Sequence, residues 1–245
     1  MKEEYKRWYT THLSRNFEML VIGHAGYPVI IFPTSLGRYY QYKDFGLLQC
    51  IAPLVDTGRV KVYAPDGIDG ESWYNESIHP ADRVRTHQGY EHVIVQEVIT
   101  TAREETGVGK VALAGCSFGG YHAANIAFRS PALAGYLISM SGAFDIKRFL
   151  GGYYDENCYF NNPPDYLSNV AESEYLRQMR DIGIVLGAGT DDIALEENKR
   201  LAGILAAKGI PHWLDIRQGS HDWPLWREMF PGYLDNLLRQ EGQRA

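Results

Sequence analysis

Apolar residues recur along the chain in two rhythms. Residues 29–32, 60–64, 111–114, 133–140 and 182–186 form short, mostly apolar runs, the pattern of strands covered on both faces of a parallel sheet. Between them, residues 81–105, 120–128, 194–208 and 223–239 carry apolar positions at helical spacing. A further strand is expected over residues 213–216. Near the start, residues 5–13 and 17–22 are aromatic or β-branched and flank Ser14-Arg15-Asn16, which reads as the turn of an antiparallel hairpin. Alternating strand and helix after an antiparallel start predicts an α/β fold with a central, mostly parallel sheet and helices on both faces. Residues 142–169, containing Gly151-Gly152-Tyr153-Tyr154 and Asn161-Asn162-Pro163-Pro164, are turn-rich and are expected to form a loop or small cap over the active-site face. Neither a repeat nor a linker composition divides the chain, so residues 1–245 read as a single domain.

Composition narrows the function classes. The 24 Lys and Arg against 30 Asp and Glu give a formal net charge of −6, which argues against a nucleic-acid partner because such a surface is basic. The apolar stretches at 19–22 and 29–32 fall far short of the roughly 20 residues a membrane helix needs, so no membrane association is expected. The first seven residues mix both charges and lead into no apolar run, unlike a secretory signal. Cys50, Cys116 and Cys158 are odd in number and stand at neither metal-ligand nor redox-motif spacing. A cytoplasmic protein without disulfide, metal or cofactor is the expectation. His12, His24, His79, His87, His92, His122 and His212 share no ligand spacing with carboxylates and read as surface or structural residues.

In α/β sheets, chemistry gathers just past the carboxyl ends of the strands. There, after residues 111–114, stands Gly115-Cys116-Ser117-Phe118-Gly119-Gly120, running into a helix-like segment. This is a G-x-S-x-G turn in strand–turn–helix context, where a strained backbone lifts the serine and only small residues fit two positions on either side. Ser117 is the candidate nucleophile, and Cys116 beside it should point into the core. A serine needs a base oriented by a carboxylate. His221, on the last strand-to-helix loop, is the candidate base. The preceding strand runs into Gly189-Thr190-Asp191-Asp192, where Asp192 is preferred as the acid and Asp191 is the alternative; Asp222, adjacent to His221, reads as a helix cap. For the oxyanion, the Phe118 N–H is one candidate donor. The loop after residues 29–32, Pro33-Thr34-Ser35-Leu36-Gly37, offers the Ser35 N–H first and Leu36 second. Trp73, Tyr74 and Trp223 are candidates either for lining a pocket or for packing, and the Tyr39-Tyr40 and Tyr153-Tyr154 pairs resemble loop aromatics of a cleft.

With these residues in view, the chain resembles the α/β-hydrolase superfamily and, within it, the esterase D and mycolyltransferase-like group. The serine motif, the terminal Gly219-Ser220-His221-Asp222-Trp223-Pro224-Leu225-Trp226, and Asp66-Gly67 followed by Ser72-Trp73-Tyr74-Asn75 carry the likeness. Relatives commonly have His-Gly or Asp-Gly after the third strand, where this chain has Pro33-Thr34. The resemblance implies an α/β-hydrolase fold and a cofactor-free serine hydrolase acting on small-molecule carboxylic esters. Ser117, Asp192 and His221 would form its triad, and Phe118 and Ser35 its oxyanion donors. The alternatives are an acyltransferase or thioesterase with the same triad, or a non-catalytic α/β-hydrolase-fold binding protein. The sequence leaves open whether the chain forms a homo-oligomer. A short insertion at 142–169 leads to the expectation of an open cleft suited to small or exposed ester groups.

Overall fold

A hairpin of β1 (Glu3–Thr10) and β2 (Arg15–Ile22) opens the chain, its turn placed by Ser14 at φ 52°. Six further strands follow: β3 (Tyr27–Phe32), β4 (Val60–Pro65), β5 (Val111–Cys116), β6 (Ala134–Met140), β7 (Gly183–Asp191) and β8 (Trp213–Ser220). The computed structural model describes residues 1–244. One sheet contains all eight strands in the order β1-β2-β4-β3-β5-β6-β7-β8. β2 meets β4 antiparallel, and every pairing from β4 to β8 is parallel.

Alternation along the strands divides the core between two faces. Ile30, Phe32, Leu113, Leu137, Ile184 and Leu186 point one way. That face is covered by a long rod of α4 (Pro80–His92), a π-helical stretch (Val93–Val98) and α5 (Ile99–Thr106), together with α6 (Phe118–Arg129), α9 (Glu174–Arg180) and α10 (Leu195–Ala207). Val29, Ile31, Val62, Ala112, Ala114 and Cys116 point the other way. Against them lie three short helices, α1 (Gln41–Asp44), α2 (Leu47–Cys50) and α3 (Ala52–Asp56), and the terminal α11 (Trp223–Arg244). The buried Cys116 is therefore a core residue, as its position beside Ser117 led us to expect.

Several elements differ from the sequence expectation: β8 runs on to Ser220, and α1, α2, α3 and α9 are too short for their period to stand out. β7 extends past its apolar run through residues 187–191. Gly187 lies against the Tyr233 ring and Gly189 against the Gly219 backbone, so close packing excludes the side chains by which a strand is usually read. Residues 142–169 are also more regular than a loop: they contain a 3₁₀ turn (Ile146–Phe149), α7 (Glu156–Phe160) and α8 (Pro163–Asn169). Each is one or two turns long, too short to show a period. Ile146, Leu150 and Cys158 anchor the segment on Trp73, Phe118 and Tyr121.

β3 and β5 are neighbours, with Phe32 paired to Gly115. The chain leaves β3 toward β4 on one side and β5 continues toward β6 on the other. Their carboxyl ends therefore form a topological switch point, where the loop at 33–37 and the Ser117 turn lie side by side.

Candidate active site

Ser117 stands between β5 and α6 with φ 55° and ψ −124°, backbone angles unfavourable for a residue with a Cβ. The turn is held by the Ser117 N–H donating to Met140 O at 2.8 Å and the Ser117 carbonyl accepting from Gly120 N at 2.9 Å. A Cβ on Gly115 would fall within the backbone of Gly119, and one on Gly119 within the carbonyls of Phe32 and Pro33. The glycine spacing is thus a steric requirement of the turn. Phe118 begins α6, so its N–H belongs to a helix N-terminus with no intrahelical acceptor.

The Ser117 hydroxyl donates to His221 Nε2 at 2.8 Å, and His221 Nδ1 donates to Asp192 Oδ1 at 2.7 Å. His221 follows the end of β8, while Asp222 accepts from Leu225 N at 3.1 Å and so caps the start of α11. The Asp192 carboxylate is buried. Its Oδ1 also accepts the Ala194 N–H at 2.8 Å, and its Oδ2 accepts the Ser141 hydroxyl. Burial pushes the carboxyl up, but the bonds from His221, Ser141 and Ala194 outweigh it and hold the group below the ordinary carboxylate range. Of the two aspartates weighed in the sequence, Asp192 is the one that meets His221; Asp191 is exposed at the strand end.

The loop after β3 is gripped from the β4 side. The Leu36 N–H donates to Asp69 Oδ2 at 3.1 Å, and the Ser35 hydroxyl accepts from Tyr74 OH at 2.8 Å. Leu36 has φ 57°, and Gly37 N donates to Thr34 O at 2.9 Å, closing a turn over residues 34–37. Three N–H groups of this turn are thus engaged within the protein: Leu36 by Asp69, Thr34 by Gln41 Oε1 at 2.9 Å and Gly37 by Thr34 O.

Of the two roles weighed for Trp73, the structure shows packing. It is fully buried, packed against His87, Tyr121 and Phe149, and lines no opening. Tyr74 keeps partial exposure beside Phe149, ring centroids 4.7 Å apart. Trp223 stacks on Phe45 at 4.5 Å and 8°.

Several residues at the site went unassigned in the sequence. Ser141 and Asp69 each sit just past a strand, β6 and β4, where chemistry was to be sought. Trp226 stood in the terminal motif without a role. His122 had no local signal, because its partner Asp69 is 53 residues away. Among the described residues, no helix is long and apolar enough to cross a membrane.

The fold has relatives of known structure. A ferulic acid esterase superposes with a TM-score of 0.77 at 18% identity, covering 97% of each chain. An S-formylglutathione hydrolase from Agrobacterium tumefaciens gives 0.74 at 13%, covering 97% of this chain and 94% of its own. MPT51 from Mycobacterium tuberculosis gives 0.72 at 15%, covering 97% and 98%. No curated protein sequence matches the chain. Residues 17–237 match the model of the family described as "Putative esterase". With that match running from β2 into α11, the chain belongs to this family and is an ester-cleaving serine hydrolase of α/β-hydrolase fold.

Proposed function

We propose that Ser117, His221 and Asp192 are the catalytic triad of this esterase and that the N–H groups of Phe118 and Ser35 stabilise the oxyanion. The carrying observation is the unbroken chain of hydrogen bonds from Ser117 through His221 to Asp192. Ser117 Oγ attacks the ester carbonyl carbon as its proton passes to His221 Nε2. The resulting imidazolium is stabilised by Asp192, and the negative charge on the former carbonyl oxygen meets the two N–H groups. Collapse breaks the bond to the alkoxy group, which leaves as the alcohol after taking the proton from His221. Water then gives a proton to His221 and attacks the acyl-enzyme. The second collapse releases the carboxylic acid and returns the proton to Ser117 Oγ.

The substrate is a small ester with an apolar group next to the carbonyl. Leu36 in the oxyanion loop and Ile193 beside Asp192 are exposed apolar residues, and Phe45 is exposed against Trp223, two residues after His221. Three free cysteines, two of them buried, suit a reducing compartment and support a cytoplasmic location.

A fluorophosphonate probe should label wild-type protein on Ser117, and short p-nitrophenyl esters should be hydrolysed; Ser117→Ala should lose both. Labelling at another residue, or full turnover in Ser117→Ala, would overturn the assignment.

A further inference from the structure

A second His–Asp pair lies behind the oxyanion loop. His122 Nε2 donates to Asp69 Oδ1 at 2.9 Å, and both residues are 2% exposed. His122 is on α6, the helix that Ser117 opens, and Asp69 is in the turn after β4. The other oxygen of the same carboxylate accepts the Leu36 N–H. Asp69 thereby bridges the nucleophile helix and the loop that carries the second oxyanion donor. Its backbone extends the grip, since the Asp69 carbonyl accepts from Tyr74 N at 2.9 Å and the Tyr74 hydroxyl donates to Ser35 Oγ. Two consecutive loop residues, Ser35 and Leu36, are therefore held by one turn.

The loop needs such a hold. Leu36 carries a Cβ at positive φ, an unfavourable conformation that persists only when its surroundings impose it. A buried carboxylate is equally demanding, because without partners it would be expelled or neutralised. His122 meets that demand. Its ring is wedged among Phe118, Tyr90 and His87, with centroids 5.0, 5.3 and 5.5 Å away. Its Nδ1 has no hydrogen-bond partner, so Asp69 is the polar group that sets its orientation.

We infer that His122 and Asp69 are positioning residues that fix the oxyanion loop relative to Ser117, a role resting on the proposed use of the Ser35 and Phe118 N–H groups. They touch neither substrate nor triad. Their effect is felt in the transition state, when the oxyanion must meet both N–H groups at once. Losing the clamp should therefore lower kcat and leave KM nearly unchanged.

The test is a set of paired variants assayed for ester turnover, fluorophosphonate labelling rate and thermal unfolding. Asp69→Ala removes the acceptor for Leu36, and His122→Phe keeps a ring but removes the donor to Asp69. Each should lower kcat by about 10²-fold, the scale of a displaced reacting geometry, and slow labelling in parallel because the phosphonyl oxygen uses the same donors. Asp69→Asn still accepts from Leu36, and His122→Gln still offers an N–H to Asp69, so both should recover most of the activity. Folded Asp69→Ala or His122→Phe with wild-type kcat, or with a raised KM as the main change, would overturn the inference. Higher turnover in Asp69→Ala would also overturn it, since Asp69 would then be competing with the oxyanion for Leu36. If Asp69→Ala does not fold, the contrast between His122→Phe and His122→Gln decides the question. Ser117→Ala separates the two levels: labelling retained there rejects the triad, whereas labelling lost there with unimpaired clamp variants rejects only the clamp.

Discussion

The Trp226 indole N–H donates to the Ser141 hydroxyl at 2.8 Å. Ser141 in turn donates to Asp192 Oδ2, so a residue of α11 fixes the hydroxyl that fixes the carboxylate. The Trp226 ring also meets the His221 ring edge-on, centroids 5.2 Å apart. Ser141→Ala removes the bond to Asp192 and leaves a buried indole N–H unpaired, a stability cost of about 1–3 kcal/mol. Turnover should fall about tenfold as the carboxylate loses one of its anchors. Trp226→Phe leaves the Ser141–Asp192 bond in place and should have the smaller effect on kcat. Steady-state kinetics with thermal unfolding of both variants checks this ordering; unchanged kcat in Ser141→Ala would show that the carboxylate does not need that anchor.

Asp192→Asn should lower kcat by about 10⁴-fold, the effect expected when the orienting carboxylate can no longer select the correct imidazole tautomer. Both Asp192 oxygens accept from donors. At the Oδ1 place the asparagine NH₂ faces the N–H groups of His221 and Ala194, and at the Oδ2 place it obliges the Ser141 hydroxyl to accept instead of donate. Asp191→Asn, at an exposed position, should retain nearly wild-type turnover. The reverse pattern in a steady-state assay would transfer the acid's role to Asp191.

Gly119 and Gly203 make opposite cases for the same substitution. A methyl group on Gly119 would overlap the carbonyls of Phe32 and Pro33, so Gly119→Ala must push β3 and the Ser117 turn apart. Overpacking of that kind costs about 1–3 kcal/mol or more, and ester turnover should drop with it. Gly203 lies exposed in α10, with open space where a methyl group would stand. Gly203→Ala should raise stability by about 1 kcal/mol through helix propensity alone, with activity unchanged. Denaturant midpoints and kcat for the two variants provide the comparison.

What the sequence disclosed follows the range of the interactions involved. Ser117 was legible because its glycines, strand and helix are contiguous, and His221 because the last strand-to-helix loop is a local feature. Both sheet faces could be anticipated from runs such as residues 29–32, whose alternate members enter the two cores. The choice of Asp192 over Asp191 rested on turn spacing and needed the His221 contact to become specific. By contrast, the Asp69–Leu36 and Asp69–His122 bonds join segments 33 and 53 residues apart. No local pattern signals such pairs. Trp73 stayed undecided in the sequence, because an aromatic next to a functional loop looks the same there whether it lines an opening or fills the core.

Glu105 gives the fold a specific response to acid. It lies near the end of α5 and receives bonds from Lys6 of β1 and from Lys61 and Tyr63 of β4, the last two at 2.6 and 2.9 Å. Burial pushes its carboxyl up, but the bonds from Lys6, Lys61 and Tyr63 outweigh that and hold it at about 2, against an ordinary value of 4.5. A carboxyl depressed on folding contributes stability that is fully present above its unfolded value and is lost as pH falls toward its folded value. The contribution should therefore be complete above about pH 5 and decay between pH 4.5 and about 2. Glu105→Gln cannot ionise, so it should be less stable than wild type near neutrality and should lack this part of the acid slope. Urea unfolding of the two proteins across that window should show their midpoints converging as pH falls. A constant difference at every pH would mean that Glu105 stabilises the α5–β4 contact through packing, with no contribution from its charge.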